Sequence, residues 1–422
     1  MAQDAHHDDK ARRYEPDSPY AWLRLAVALL IGTVACVGSW SVVVVLPAMQ
    51  GEFDTLRAGA SLPYTFAMLG FGAGNIVMGR IADRYGLMVP VAMGGVLLAA
   101  GYAAAAMSQS LWQFALAHGL LIGFGTGAGF SPLIADLSHW FRRHRGLAVV
   151  CGASGSYLAG VVWPQLITWG LEHHGWRATH MGIGIASLVI MLPLAPFFRR
   201  KPAAATLAAA DASSAGARGD LGLSAGQLQF LLCAAGFACC VAMAMPQVHI
   251  VAYCGDLGYG VARGAEMLSL MMALGIVSRI GSGFVADRIG GTATLAIGSV
   301  MQGVALFLYL WFDGLQSLYV VSAIFGLFQG GIVPMYAVVT REYLPAKQAG
   351  VRIGLVMSVT VLGMAVGGYL SGVIFDYFGS YRVAFLHGLA WNFVNLSVVC
   401  WLMLRARQRP ASPAQLAGGL GG

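Results

Sequence analysis

The sequence predicts an all-α membrane protein with twelve transmembrane helices arranged as two six-helix halves. Three observations carry this expectation. Of the 422 residues, 58% are hydrophobic and only 10% charged, far from the balance of a soluble domain. Apolar stretches of about 20 residues, the length that crosses ~30 Å of hydrocarbon, recur from end to end. Finally, the chain repeats itself: GRIADRYG at 79–86 returns as GFVADRIG at 283–290, and such repeated halves are a common plan among transporters.

Taken in order, residues 1–21 form a polar tail of mixed charge that lacks the basic start and cleavage site of a signal peptide. The N-terminal half, 22–198, carries expected spans at 22–49, 59–79, 87–107, 111–138, 146–170 and 178–198, separated by short polar breaks. Residues 199–226, RRKPAAATLAAADASSAGARGDLGLSAG, are rich in Ala, Ser and Gly and read as a flexible cytoplasmic linker. The C-terminal half, 227–404, repeats the pattern with spans at 227–254, 265–286, 292–312, 317–340, 352–375 and 383–404, and 405–422 is a second tail.

With the N-terminus assigned to the cytoplasm, all but five of the 25 Lys and Arg fall on the cytoplasmic face. Arg57, Arg177, Arg263 and Arg382 fall on the other face, and Arg279 lies inside a span. This asymmetry puts both termini in the cytoplasm of a plasma membrane, here a bacterial inner membrane. The net charge of +7 therefore reports topology, not a nucleic-acid partner. All seven cysteines lie within or at the ends of apolar spans, so no disulfide framework is expected. Neither HHDD at 6–9 nor His173-His174 has four ligands at ordered spacing, so no metal is expected. Nothing resembles a nucleotide loop or a nucleophile elbow, which argues against an enzyme and against a cofactor. A monomer driven by an ion or substrate gradient is the expectation.

Arg279 is the residue with most to explain. It stands eight positions before Asp287, which places it ~12 Å into a core ~30 Å thick. A fixed charge at that depth costs about 2.5–3.5 kcal/mol, so it normally faces a cavity and has a partner. Either an acid on a neighbouring helix or a bound carboxylate fills that role, and the planar guanidinium fork suits a carboxylate. His118, His249 and Asp256 are candidate proton carriers, with packing histidines and a solvated helix-end acid as the plainer alternatives. Asp136 reads as a gate or as a partner for loop arginines. Tyr336 could complete carboxylate coordination, with Asn75, Gln302 and Gln329 as further polar groups at depth. The glycine runs at 123–130, 152–160 and 363–372 allow helices to pack closely.

The repeated G-x-x-x-D-R-x-G loops resemble the signature of the major facilitator superfamily, over essentially the whole chain. PDSPYAW (16–22) and WFRRHRGLAVVCGASGS (140–156) are similar to the helix 1 entry and the helix 4–5 signature of its monocarboxylate transporters. VHIVAYCGDLG (248–258) and SRIGSGFVAD (278–287) look like the helix 7 end and helix 8 of the same group, which also includes oxalate:formate exchangers. The resemblance implies that Arg279 binds the substrate carboxylate. It also implies that the pairs Asp83-Arg84 and Asp287-Arg288 are gating residues, with Asp83 facing helix 11 and Asp287 facing helix 5. The chain departs from the pattern at two places: Trp40 stands where helix 1 of the group has a lysine, and Gly275 where helix 8 has an aspartate.

Together these readings predict a proton-coupled symporter of small monocarboxylates such as lactate or pyruvate, working by alternating access. Its expected partners are the anion, protons and the lipid bilayer. Arg279, His118 and Tyr336 are the expected substrate contacts, and Asp256 and His118 the proton-coupling residues. An oxalate:formate-type exchanger is the nearest alternative, although helix 11 lacks the second cation such exchangers use. Drug efflux and a non-transporting carboxylate sensor are more distant ones.

Overall fold

The computed structural model describes residues 16–141, 144–200, 222–344 and 346–408, and every regular element among them is helical. In chain order these are α1 (Pro19–Ala35), α2 (Val37–Glu52), α3 (Arg57–Tyr85), α4 (Met88–Ala106), α5 (Leu111–Ala117), α6 (Phe124–Thr126), α7 (Ser131–Trp140), α8 (Arg145–Ala153), α9 (Gly155–Leu194), α10 (Ala225–Asp256), α11 (Val261–Ile289), α12 (Gly291–Trp311), α13 (Leu315–Gln329), α14 (Ile332–Tyr343), α15 (Ala346–Phe378) and α16 (Tyr381–Gln408).

Among the described residues, ten helical stretches are long and apolar enough to cross a membrane. The 52-residue stretch Leu147–Phe198 contains two expected spans joined at Gly175, whose φ of 75° and ψ of 168° interrupt α9 and suit a residue without a Cβ. The 29-residue α3, which is glycine-rich and charged at its C-terminal end, supplies the second expected span without being one of the ten. The result agrees with the twelve-helix expectation and makes the chain a multi-pass membrane protein. Large apolar side chains such as Leu120, Phe230 and Phe393 stand exposed, as lipid-facing residues of a bundle do. All seven cysteines are free.

Local chemistry sets the helix ends. Ser18 accepts a hydrogen bond from Ala21 N and is followed by Pro19 at the first helical position. Ser224 and Gln227 close a capping box at the start of α10. The fourth span is interrupted three times: a π-helical turn covers His118–Gly123, a tight 3₁₀ turn covers Gly127–Gly129, and Phe130 leaves the helical region at φ −126°, ψ −89°. Its counterpart in the second half breaks at Gly330–Gly331, between α13 and α14. A Cβ on Gly127 would collide with the backbone of Gly74, and one on Gly330 with that of Gly275. In each half, then, glycine lets the broken helix lie directly on its neighbour.

Two compact units divide the described chain. The first holds the described residues through Arg200 except Leu56–Ser61, which belong with the second; the second otherwise begins at Gly222. Within the first unit, α9 packs along α4, α1 and α2. Within the second, α10 packs against α15, α16 and α11, and its residues Ala238–Ala252 are buried at every position. Of the expected linker 199–226, residues 201–221 lie outside the described residues, and Ala225 and Gly226 already belong to α10.

Candidate substrate and coupling site

Arg279 lies on α11 and is buried, with 6% of its surface exposed. Its Nε donates to the carbonyl of Gly330 at 3.3 Å, the residue at which α13 ends. One position earlier, Ser278 Oγ accepts from Gly331 N at 3.1 Å. Consecutive side chains of α11 thus attend to the backbone groups freed where the tenth span breaks. The first unit repeats the arrangement. Asn75 stands eight positions before Asp83, as Arg279 stands before Asp287. Its Oδ1 accepts from Ser131 N at 3.1 Å, at the break in the fourth span, while its Nδ2 donates to Phe71 O. Asn75 and Arg279 are repeat mates that differ in charge.

Asp256 ends α10, and its partner is not Arg279. Arg57 Nη2 donates to both of its carboxylate oxygens, at 2.7 and 2.9 Å. The guanidinium lies over the rings of Phe375 and Tyr381, at 4.7 and 5.8 Å from their centroids, where a cation is stabilised by the ring faces. Asp376, at the end of α15, accepts from Arg57 N and Ala58 N, both at 2.7 Å. It thereby caps the exposed donors of the first turn of α3. Beneath this cluster, His249 Nε2 donates to Gly368 O at 2.8 Å, which leaves Nδ1 to accept from Tyr381 Oη at 3.0 Å.

The first unit contains a further buried arginine, one that sequence reasoning assigned to the cytoplasmic surface. Arg24 is fully buried and makes a two-pronged pair with Asp136, at 2.7 and 2.8 Å. It packs over Trp140 and Phe198, each 4.8 Å from the guanidinium carbon. Asp136 therefore pairs within the unit rather than with loop arginines. Beside this pair, two of the motifs that carried the family resemblance meet. Asp17 N donates to Trp140 O at 3.0 Å, Asp17 Oδ1 accepts from His144 N, and the Trp22 ring meets Phe141 edge-on at 5.0 Å.

Other expected site residues are placed differently from their anticipated roles. His118 is enclosed in the first unit: its Nδ1 donates to Phe114 O at 2.9 Å, and its ring packs among Phe114, Tyr102 and His180. It has no exposed surface and does not line an open cavity wall. Tyr336 is also fully buried, and its hydroxyl donates to Asn395 Oδ1 at 2.6 Å, so it is engaged within the second unit. Gln302 Nε2 donates to Cys239 O, and Gln329 Oε1 accepts from Gln247. Asp83, Arg84 and Arg288 are exposed; the Asp287 side chain lies outside the described residues. Trp40 donates through Nε1 to Ser156 O at 2.9 Å, and Gly275 carries the close contact with Gly330. Both departures from the family pattern thus serve packing here.

Sequence reasoning missed Arg57, Asp376, His180 and Asn395 as partners. Arg57 and Asp376 looked like ordinary loop and helix-end charges, and only their juxtaposition sets them apart.

Broken spans that recur in two halves, with buried arginines beside them, define a helical membrane transporter. The chain belongs to the Major Facilitator Superfamily, which it matches over residues 28–317 and 282–420. It is 26% identical over 391 residues to monocarboxylate transporter 13 of Rattus norvegicus, covering 89% of this chain and 87% of that one. It is 25% identical over 382 residues to MFS-type transporter pynF of Aspergillus niger, covering 88% and 84%. Among solved structures, the bacterial homologue of the human lysosomal transporter Spinster, in its inward-facing and occupied conformation, is similar with a TM-score of 0.66. That likeness, at 13% identity over 93% of this chain and 96% of the other, is one of fold. These relatives are transporters and not enzymes.

Proposed function

We propose that the protein is a secondary transporter of small monocarboxylates, of the lactate or pyruvate kind, moved together with a proton by alternating access. The observation that carries the reading is Arg279, a buried guanidinium on α11 whose Nε donates to Gly330 O at the break in the tenth span. A carboxylate that approaches this fork gains two charge-assisted hydrogen bonds and neutralises the charge in a low-dielectric setting. The similarity to a monocarboxylate transporter supports the same substrate class. Asp256 is the proton carrier in this reading: its side chain is 34% exposed, so a proton can reach it, whereas His118 is enclosed. Asp83 and Asp287 are proposed gating residues.

Uptake of labelled lactate into proteoliposomes, with and without an inward proton gradient, tests the proposal. Accumulation above equilibrium only with the gradient is the expected result. Gradient-independent exchange, with oxalate competing better than lactate, overturns it in favour of an anion exchanger.

A further inference from the structure

We propose that Gln247 is a positioning residue for Arg279: through Gln329 and the backbone of Gly330, one buried hydrogen bond between α10 and α13 sets where the guanidinium stands. The inference deepens the proposed substrate site and rests on the carboxylate-binding role given there to Arg279. Gln247 Nε2 donates to Gln329 Oε1 at 2.8 Å, and the two residues are 3% and 0% exposed. Gln329 is the last residue of α13, and the two residues after it carry the contacts with α11. Gly330 O accepts from Arg279 Nε at 3.3 Å, and Gly331 N donates to Ser278 Oγ at 3.1 Å. Three helices are thus joined in one line, from Gln247 on α10 through the end of α13 to the arginine on α11.

A tether matters at this place because both helices it joins are locally weakened. Pro246, one position before Gln247, stands inside α10, where a proline has no N–H to give to the preceding turn. α13 stops at Gln329 and helix resumes only at Ile332, so no continuous ladder fixes the orientation of Gly330. A buried amide pair supplies direction there, because a donor and acceptor that part company inside the bundle meet no water. Crowding supplies the other restraint: a Cβ on Gly330 would collide with the backbone of Gly275, so the Gly330 carbonyl turns only with the whole end of α13. The first unit gives a contrast. The positions that match Gln247 and Gln329 at the spacing of Asp83 from Asp287 hold Val43 and Gly125, and the one that matches Arg279 holds Asn75. Of these matched positions, the half that carries the arginine is the half that carries the amide pair.

The test reads stability, binding and Arg279 itself on purified full-length protein in lipid nanodiscs. Thermal transitions and lactate affinity are measured, together with the Nε–H magnetic resonance of Arg279 in protein with isotope-labelled arginine, assigned by its loss in Arg279→Lys. Gln247→Leu and Gln329→Leu are each expected to weaken lactate binding by about three- to tenfold, the net worth of one neutral hydrogen bond, and to shift the resonance with no lactate present. Each is also expected to lower the thermal transition, because the amide that remains loses this buried partner. The double replacement Gln247→Leu with Gln329→Leu is expected to recover most of the thermal loss, since no amide is stranded. Its lactate binding stays weak and its resonance stays shifted, a result that can be read even where a single variant fails to fold. Recovery of binding together with stability overturns the inference, for the pair then acts by packing alone. A resonance unmoved in Gln247→Leu overturns it as well. If lactate binds the wild type and its affinity is unmoved in Gln247→Leu, the inference falls and the monocarboxylate reading stands. If the resonance shifts but lactate binds no form of the protein, the positioning role stands and the monocarboxylate reading falls.

Discussion

Arg24 and Asp136 face each other as a two-pronged ion pair sealed inside the first unit, with the guanidinium wholly buried and the carboxylate nearly so. Removing one partner of such a pair leaves an uncompensated buried charge, which costs about 3–5 kcal/mol. Asp136→Ala and Arg24→Ala are each expected to lower the thermal transition of detergent-solubilised protein sharply. The double replacement Arg24→Met with Asp136→Leu is expected to recover most of the loss, because an apolar pair of similar volume leaves no charge stranded. A double variant no more stable than either single one would count against this account.

The contacts at Gly74–Gly127 and Gly275–Gly330 yield a second expectation. A Cβ at Gly127 or Gly330 would meet backbone atoms that cannot turn aside, so Ala at either is expected to cost on the order of 1–3 kcal/mol as overpacking. Gly182, with nothing near its virtual Cβ, serves as the control, and Gly182→Ala is expected to be neutral in the same melting assay. Equal behaviour of all three variants would show that the close approach is not rigid.

Binding at Arg279 is tested by charge and shape separately. Arg279→Lys keeps the charge but not the planar fork and is expected to weaken lactate binding by tenfold or more, about 1.4 kcal/mol. Arg279→Met is expected to abolish binding while the protein remains folded and monodisperse, since replacing a buried charge by an apolar side chain of similar volume is often neutral for stability. Equilibrium binding to purified protein reads both; lactate affinity retained in Arg279→Met removes this residue from the site.

Asp376 predicts a local effect. Its carboxylate serves two backbone donors of the first turn of α3, and loss of a helix cap costs about 0.5–2 kcal/mol. Asp376→Ala is expected to speed hydrogen exchange at Arg57 and Ala58 while leaving the C-terminal end of α3, near Asp83, unchanged. Uniform protection along α3 in the variant would deny the cap its role.

How far the sequence can be read depends on the range of the force involved. The span length is legible because hydrocarbon leaves each backbone polar group to bond within its own segment, so about 20 apolar residues must follow one another. The repeat is legible because GRIADRYG and GFVADRIG stand at matched places, and the buried arginine at 279 because one charge in an apolar run needs no neighbour to be noticed. The two breaks are half legible: the glycines of 123–130 and 330–331 are plain to see, but whether they kink a helix or only narrow it is decided by what lies against them.

What only the tertiary structure decided are the pairings. Arg24 and Asp136 are 112 positions apart, and Arg57 and Asp256 are 199. Read as a string, Arg24 and Arg57 belong to the charged borders of their spans and Asp256 to a solvated helix end. His118 and Tyr336 likewise read as groups available to a ligand until packing closed them in. The sequence by itself determined that the chain is an all-helical, multi-pass membrane protein and that Arg279 stands inside one of its spans. It left open which charge meets which, because a Coulomb contact at 2.7 Å follows from how helices settle against one another, and that depends on the shapes of many side chains at once.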